Sequence, residues 1–170
     1  MTEGGLSAQE RAAVKQRAAE LRAEKAAAKR ADKVAAGRAQ LEAAIAEMPD
    51  DEQAIARRID AIVTRVAPRL VPGTMYGAPA YKTAEGRTVL FFRSGAKDKY
   101  RYSTLSFQPD ATLDDGGMWA TSFAVTSLST KDEELIESLV RRATAWPNPS
   151  AVGQAGPRAC LDWTTRAPGP

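Results

Sequence analysis

Two segments of the sequence carry apolar residues at the spacing of an amphipathic helix. The first covers residues 50–67, with Asp50 as the expected N-cap and Gln53 completing a capping box. Pro68 ends this helix because it lacks the backbone donor that the next turn requires. The apolar positions that share one face are Ile55, Ile59, Ile62, Val63 and Val66.

The second segment covers residues 130–145. We predict a capping box of Thr130 and Glu133 at its start. Acidic residues gather in its first turn, and Arg141 and Arg142 lie near its end, as the helix dipole favours. Its apolar positions are Leu135, Ile136, Leu139, Val140 and Ala143.

The sequence between these helices has the character of strands. Residues 80–83 and 88–93 predict a β-hairpin joined by 84–87, in which Gly86 can adopt a positive φ. Residues 100–107 alternate in polarity, and residues 122–125 predict a short further strand. The order of elements favours an α+β fold, in which an antiparallel sheet of four or five strands carries helices on one face.

Two details of this sheet can be predicted further. Val89 to Phe92 form a continuous apolar run, which is typical of a central strand covered on both faces. Residues 94–99 are expected to form a turn. Pro72 and Gly73 are expected to turn the chain into the sheet, and Tyr76 to Tyr81 then form an aromatic stretch whose backbone is fixed by Gly and Pro.

Residues 7–47 are helical by composition, but their apolar positions are too sparse for a coiled coil. Gly37 is expected to weaken the middle of this helix. We predict a solvated extension over residues 1–40, formed by one helix or a helical hairpin, with binding of a protein partner or self-association through residues 7–47 as the alternative. The α+β domain is expected to cover 41–145, followed by a Pro-rich disordered tail over 146–170.

Composition excludes several kinds of chemistry. The chain has no histidine and one cysteine, Cys160, so it contains no Ser-His-Asp triad, no Cys-His dyad and no internal disulfide. The net charge is +3, and residues 1–47 carry nine Lys/Arg against seven Asp/Glu, so nucleic acid is not an expected partner. No secretory signal or membrane-spanning run is found, which predicts a cytoplasmic protein without a membrane partner.

The sequence resembles the DUF1801 family, also called YdhG-like, whose fold is compared with that of frataxin. The resemblance covers residues 41–145. It rests on a helix ending near Ala67, the stretch from Tyr76 to Tyr81, the strand Val89 to Phe92 followed by Lys97, and the last helix. The family commonly has Met where Ala78 stands. The resemblance implies a small binding or carrier protein with a link to intracellular iron.

Aromatic and cationic residues near the Tyr76 stretch are candidates for a ligand site. Gly77 and Pro79 fix the backbone there, and amphipathic aromatics beside a cation could line a cleft for an anionic or planar ligand. The alternative is that the tyrosines are core residues and Lys97 is solvated. The full candidate set is Tyr76, Gly77, Pro79, Tyr81, Lys97, Arg101 and Trp119.

Iron binding without histidine would need carboxylates, which suit hard cations. Asp114 and Asp115, in a loop with paired glycines, are the candidate metal ligands, and any iron site is expected to be weak. No catalytic residue is predicted. The sequence therefore predicts a binding or carrier protein, with two alternatives: a small-molecule-binding domain or enzyme using the Tyr76–Lys97 region, and a protein-interaction module using the N-terminal helix.

Overall fold

A computed structural model describes residues 8–145, so the predicted tail and Cys160 lie outside the described residues. The described chain contains four helices and one five-stranded sheet. In chain order they are α1 (Ala8–Ala46), α2 (Asp50–Val66), β1 (Val71–Met75), β2 (Ala78–Lys82), β3 (Thr88–Arg93), α3 (Gly95–Asp98), β4 (Ser103–Phe107), β5 (Ser122–Val125) and α4 (Thr130–Ala143).

The strands form an antiparallel meander in the order β1-β2-β3-β4-β5. The predicted α+β class and the predicted β2–β3 hairpin are confirmed. The segment around Pro72 and Gly73, which we expected to be a turn, is the edge strand β1. A proline is compatible with an edge strand because one side of such a strand makes no ladder hydrogen bonds.

The core lies on one face of the sheet. Cross-strand pairs place Leu90 opposite Phe107 and Phe92 opposite Leu105, so their side chains share that face. Phe91 points to the other face and is half-buried, so that face of β3 is covered only in part. The strand is nevertheless the central one of five, as its apolar run indicated.

Helices α2 and α4 pack together over this face. Two ion pairs join them, from Arg58 to Glu133 and from Arg65 to Glu137, each at 2.7 Å. Glu133 is therefore not the capping residue that we predicted. The capping box of α4 is formed by Ser129 and Asp132, one residue earlier in the chain.

The start of α2 also differs from the prediction. Its N-cap is Pro49, without a side-chain hydrogen bond, and Asp50 is the first helical residue. The backbone N–H of Gln53 donates to the Pro49 carbonyl at 2.8 Å. The acids of the first turn still lie at the positive end of the helix dipole.

Helix α1 is one continuous helix of 39 residues that runs through the expected boundary at residue 40. Its C-terminal part lies against β1 and β2, and Leu41 and Ile45 are fully buried in the common core. Gly37 is buried where the helix meets β1, and a Cβ atom placed there would lie 2.0 Å from the Pro72 carbonyl oxygen. The absence of a side chain at Gly37 therefore permits backbone-to-backbone contact.

A polar network ties α1, α2 and β2 together. Arg38 Nη1 donates to both carboxylate oxygens of Asp60, at 2.7 and 2.6 Å, and the Tyr81 hydroxyl donates to Asp60 Oδ1 at 2.9 Å. Burial, together with the neighbouring Asp60 charge, raises the pKa of Tyr81 far above its usual value. Tyr81 is thus a core residue whose hydroxyl stays protonated to bond Asp60. Among residues 8–145 no helix is long and apolar enough to cross a bilayer.

Candidate functional site

An open cavity of about 370 Å³ lies where the α1–α2 connection, the β1–β2 turn and α3 meet. Its wall is partly apolar, from Ala44, Met48, Pro49 and Ala78. Its charged and polar rim is formed by Glu47, Tyr76, Arg93, Lys97 and Asp98. An apolar wall with a few polar groups at its edge is the usual composition of a small-molecule site.

The β1–β2 turn brings Tyr76 to the mouth of this cavity. Met75 pairs with Ala78, so Tyr76 and Gly77 alone form the loop, and both have positive φ, 51° and 73°. Two-residue hairpins favour such angles because their twist matches that of the strands. Tyr76 is 88% exposed, so its ring contributes little to the core. Its backbone nevertheless adopts a conformation that is energetically unfavourable for a residue other than glycine.

Lys97 reaches the same turn from α3. A Cβ atom placed on Gly77 would lie 3.4 Å from Lys97 Nζ, so the ammonium group lies close to the turn backbone. Its ion pair with Glu47 is long, at 3.6 Å, and both side chains are mostly exposed. Such a pair is weak in water. Lys97 can therefore exchange this partner for an anionic group of a ligand.

The second cation at the rim is already engaged. Arg93 donates to both carboxylate oxygens of Asp98, with Nη2 to Oδ1 at 2.9 Å. The hydrogen bond from Arg93 holds the pKa of Asp98 below its usual value. This bidentate pair leaves Lys97 as the better cation for an incoming anion.

The position of α3 depends on a buried carboxylate, Glu52. Its oxygens accept from the N–H groups of Gly95 and Ala96, both at 3.0 Å, and from the hydroxyls of Ser103, at 2.8 Å, and Ser94. Burial alone would raise the pKa of Glu52, but these four hydrogen bonds outweigh it and lower the pKa. Because Glu52 takes the free N–H groups of α3, this helix start is not available to a ligand anion.

Glu52 is not among the candidate residues that the sequence predicts. A usable signal was present, since Glu52 lies three, four and seven residues before Ile55, Ala56 and Ile59, on the buried face of the helix. A charged residue on an apolar face must have partners to compensate for its burial. The pattern could therefore have identified Glu52 as a bonded internal carboxylate, although not its partners.

The predicted ligand residues fall into separate places. Tyr76, Gly77 and Lys97 line the cavity described above. Pro79 and Tyr81 are buried in β2, and Arg101 lies over the ring of Tyr102 at 5.2 Å.

Trp119 lines a different cavity of about 340 Å³, beside the loop between β4 and β5. Asp114 lines that cavity as well, and both Asp114 and Asp115 are exposed. Within residues 8–145 no group of three or more Asp, Glu, Cys or His side chains is arranged to hold a metal ion. The iron link implied by the resemblance stays a prediction.

No family model matches the sequence, and neither the curated proteins nor the solved structures include a significantly similar chain. The functional assignment therefore depends on the geometry of the site.

Proposed function

We propose that the chain is a non-catalytic module that binds a small planar molecule with an anionic group in the cavity beside Tyr76 and Lys97. The proposal includes kinship with the DUF1801 family, in which the Tyr76–Gly77 turn would be the common feature. The observation that carries it is the convergence of an exposed tyrosine and a weakly paired lysine on one partly apolar cavity.

The chemistry of the rim defines the ligand class. The Tyr76 ring offers a face for stacking, and Lys97 offers a cation that can bond a carboxylate or phosphate. Met48 and Ala78 supply apolar contact on the wall. Ser94 also lines the cavity, but it is buried and its hydroxyl donates to Glu52, so it is not poised as a nucleophile.

Titration with benzoate, phenyl phosphate and benzyl alcohol, followed by ¹H–¹⁵N NMR, tests this proposal. We expect the two anions to shift the amide signals of Gly77 and Lys97, and benzyl alcohol to have a much smaller effect. Lys97→Met should weaken binding of the anions about tenfold, which corresponds to about 1.4 kcal/mol.

Lys131→Met is the matched control, because it removes one exposed lysine from the start of α4. It should leave the affinity unchanged. The proposal is wrong if neither anion gives saturable shifts at these amides, or if Lys97→Met and Lys131→Met behave alike.

A further inference from the structure

The N-terminal part of α1 extends away from the body of the domain. Within residues 11–33 every described side chain is exposed except the half-buried Ala18. Further along α1, Arg30 Nη2 donates to the Arg69 carbonyl at 3.4 Å, and Lys33 Nζ donates to the Ala84 carbonyl at 2.9 Å. A long exposed helix of this kind presents its side chains to a partner.

Five cations of this segment lie along one side of the helix. Each residue turns an α-helix by about 100°, so these five fall within an arc of about 80° and over a length of about 27 Å. We call this surface the basic stripe, and its members are Arg11, Lys15, Arg22, Lys25 and Lys29.

The acidic residues that dilute the charge in the sequence lie elsewhere on the helix. Glu20 and Glu24 are about 140° or more from the centre of the basic stripe, and Asp32 lies beyond its C-terminal end. Glu20 pairs with Arg17, which is also on the far side, at 3.2 Å. Within the part of the chain that the structure describes, Lys15, Arg22, Lys25 and Lys29 form no ion pair.

We propose that the basic stripe binds the phosphate backbone of double-stranded DNA without sequence specificity. An α-helix is about 10–12 Å wide with its side chains, and the major groove of B-DNA is about 12 Å wide. With the stripe facing inward, its cations reach phosphates on both sides of the groove, and Glu20 and Glu24 face away. The proposal thus departs from the expectation that composition gave for nucleic acid.

Two other anionic surfaces fit less well. A helix that lies on a membrane needs a broad apolar face, whereas the apolar side chains near this stripe are Val14 and Leu21, among alanines. Double-stranded RNA has a deep, narrow major groove that does not admit a helix. Duplex DNA is therefore the occupant that the geometry favours.

The test is fluorescence anisotropy of a labelled 30-base-pair DNA duplex with the full chain at 50, 100 and 200 mM NaCl. Each phosphate contact contributes about −0.9 to the slope of log K against log salt, so contacts by Lys15, Arg22, Lys25 and Lys29 predict a slope of about −3.6. Replacing Lys15, Arg22 and Lys29 together by Gln should weaken binding about tenfold or more at 50 mM NaCl and make the slope shallower by about 2 to 3.

Two matched variants distinguish the effect of the basic stripe on DNA affinity from the effect of net charge. Replacing Lys99, Arg101 and Lys131 together by Gln removes the same charge from the body of the domain and should change the affinity less than about threefold. The double variant Glu24→Lys with Lys25→Glu keeps the composition and helix propensity, but it puts an acid into the stripe. We expect it to weaken binding about fivefold or more.

Several outcomes would overturn the proposal. One is the absence of DNA binding at 50 mM NaCl, and another is equal loss in the stripe and body variants. Equal affinity for a 30-base-pair RNA duplex, or binding to vesicles of 70% phosphatidylcholine and 30% phosphatidylserine but not to DNA, would assign the stripe to a different partner. Unchanged affinity in the Glu24/Lys25 exchange would show that the position of the positive charges on the helix does not affect DNA binding.

Discussion

At the scale of single residues, Glu52 shows how a buried charge organises a surface site. One carboxylate accepts four hydrogen bonds and fixes the segment from Ser94 to Ala96, immediately before Lys97. No buried side-chain polar atom among the described residues lacks a partner. The buried hydrogen bonds of Glu52 therefore determine the position of the cavity rim at Lys97.

Glu52→Gln should destabilise the fold by about 2 kcal/mol or more at pH 7. The NH₂ group of the glutamine side chain would face the N–H and O–H groups that donate to Glu52. These buried donors would then be left unpaired. Because the pKa of Glu52 is lowered in the folded state, its contribution is present above the unfolded pKa and is lost as the pH falls through the folded value. Urea unfolding between pH 7 and pH 2.5 measures both effects.

In that series the variant should lose less stability on acidification than the original chain. Glu134→Gln, an exposed change on α4, is the control and should keep the original pH profile. Equal pH profiles for Glu52→Gln and the original chain would contradict the role given to this carboxylate.

The positive φ of Tyr76 is expected to lower the free energy of unfolding. A residue other than glycine at positive φ costs about 1 kcal/mol, and asparagine tolerates that conformation better than tyrosine. Tyr76→Asn is expected to raise the free energy of unfolding by about 0.5–1 kcal/mol and to abolish benzoate binding. Tyr100→Asn, at an exposed tyrosine outside the positive-φ positions, should give neither effect.

At the scale of elements, Gly37 decides how α1 meets the sheet. Helix propensity alone predicts that Gly37→Ala would stabilise α1 by about 1 kcal/mol. The Pro72 carbonyl leaves no room for the added methyl group, so we expect destabilisation by about 2 kcal/mol or more in urea unfolding. Stabilisation by the substitution would show that the helix and β1 are not in such close contact.

The elements with a strong periodic pattern could be predicted from sequence. The apolar face of α2 and the hairpin of β2 and β3 are present as expected. On α4 the predicted face is present only in part, because Ile136, Val140 and Ala143 are buried whereas Leu135 is 51% exposed. β1 was missed because its Pro72 and Gly73 resemble turn residues, and α3 was missed because its stability comes from Glu52, far away in sequence. A periodic pattern in a short stretch of sequence gives no information on contacts between residues that are 43 or more positions apart.

The candidate site could also be predicted only in part from the sequence. Turn chemistry singled out Tyr76 and Gly77, and the adjacent cation Lys97 does share their cavity. The separation of Trp119 from them follows from the path of the loop after β4, which no periodicity describes. Tyr81 was grouped with the ligand residues because an alternating strand does not reveal which tyrosine finds an internal partner such as Asp60.

At the scale of the whole molecule, α1 belongs partly to the body and partly to the extension. Arg30, Lys33 and Arg38 bond the body, and Gly37 packs against it. Arg11 to Lys29 form the exposed part that carries the basic stripe. The exposed part of α1 therefore ends near residue 29, and Arg30 bonds the body of the domain.

Truncation tests this division. Removal of residues 1–28 should change the free energy of unfolding by about 0.5 kcal/mol or less, because none of the side chains whose burial is described between residues 11 and 28 is buried. Removal of residues 1–40 should cost about 3 kcal/mol or more, since Asp60 loses its Arg38 partner and β1 loses its cover. Circular dichroism during urea unfolding distinguishes the two truncations. Equal stabilities would show that residues 29–40 do not stabilise the body of the domain.

The meander has a consequence for the order of assembly. Because each strand pairs with its neighbour in the chain, every step of sheet formation closes only a short loop and loses little chain entropy. The docking of α2 on α4 instead joins segments about 70 residues apart, as in the pair of Arg58 and Glu133. We therefore expect the hairpins to form early during folding and the two helices to close over them last.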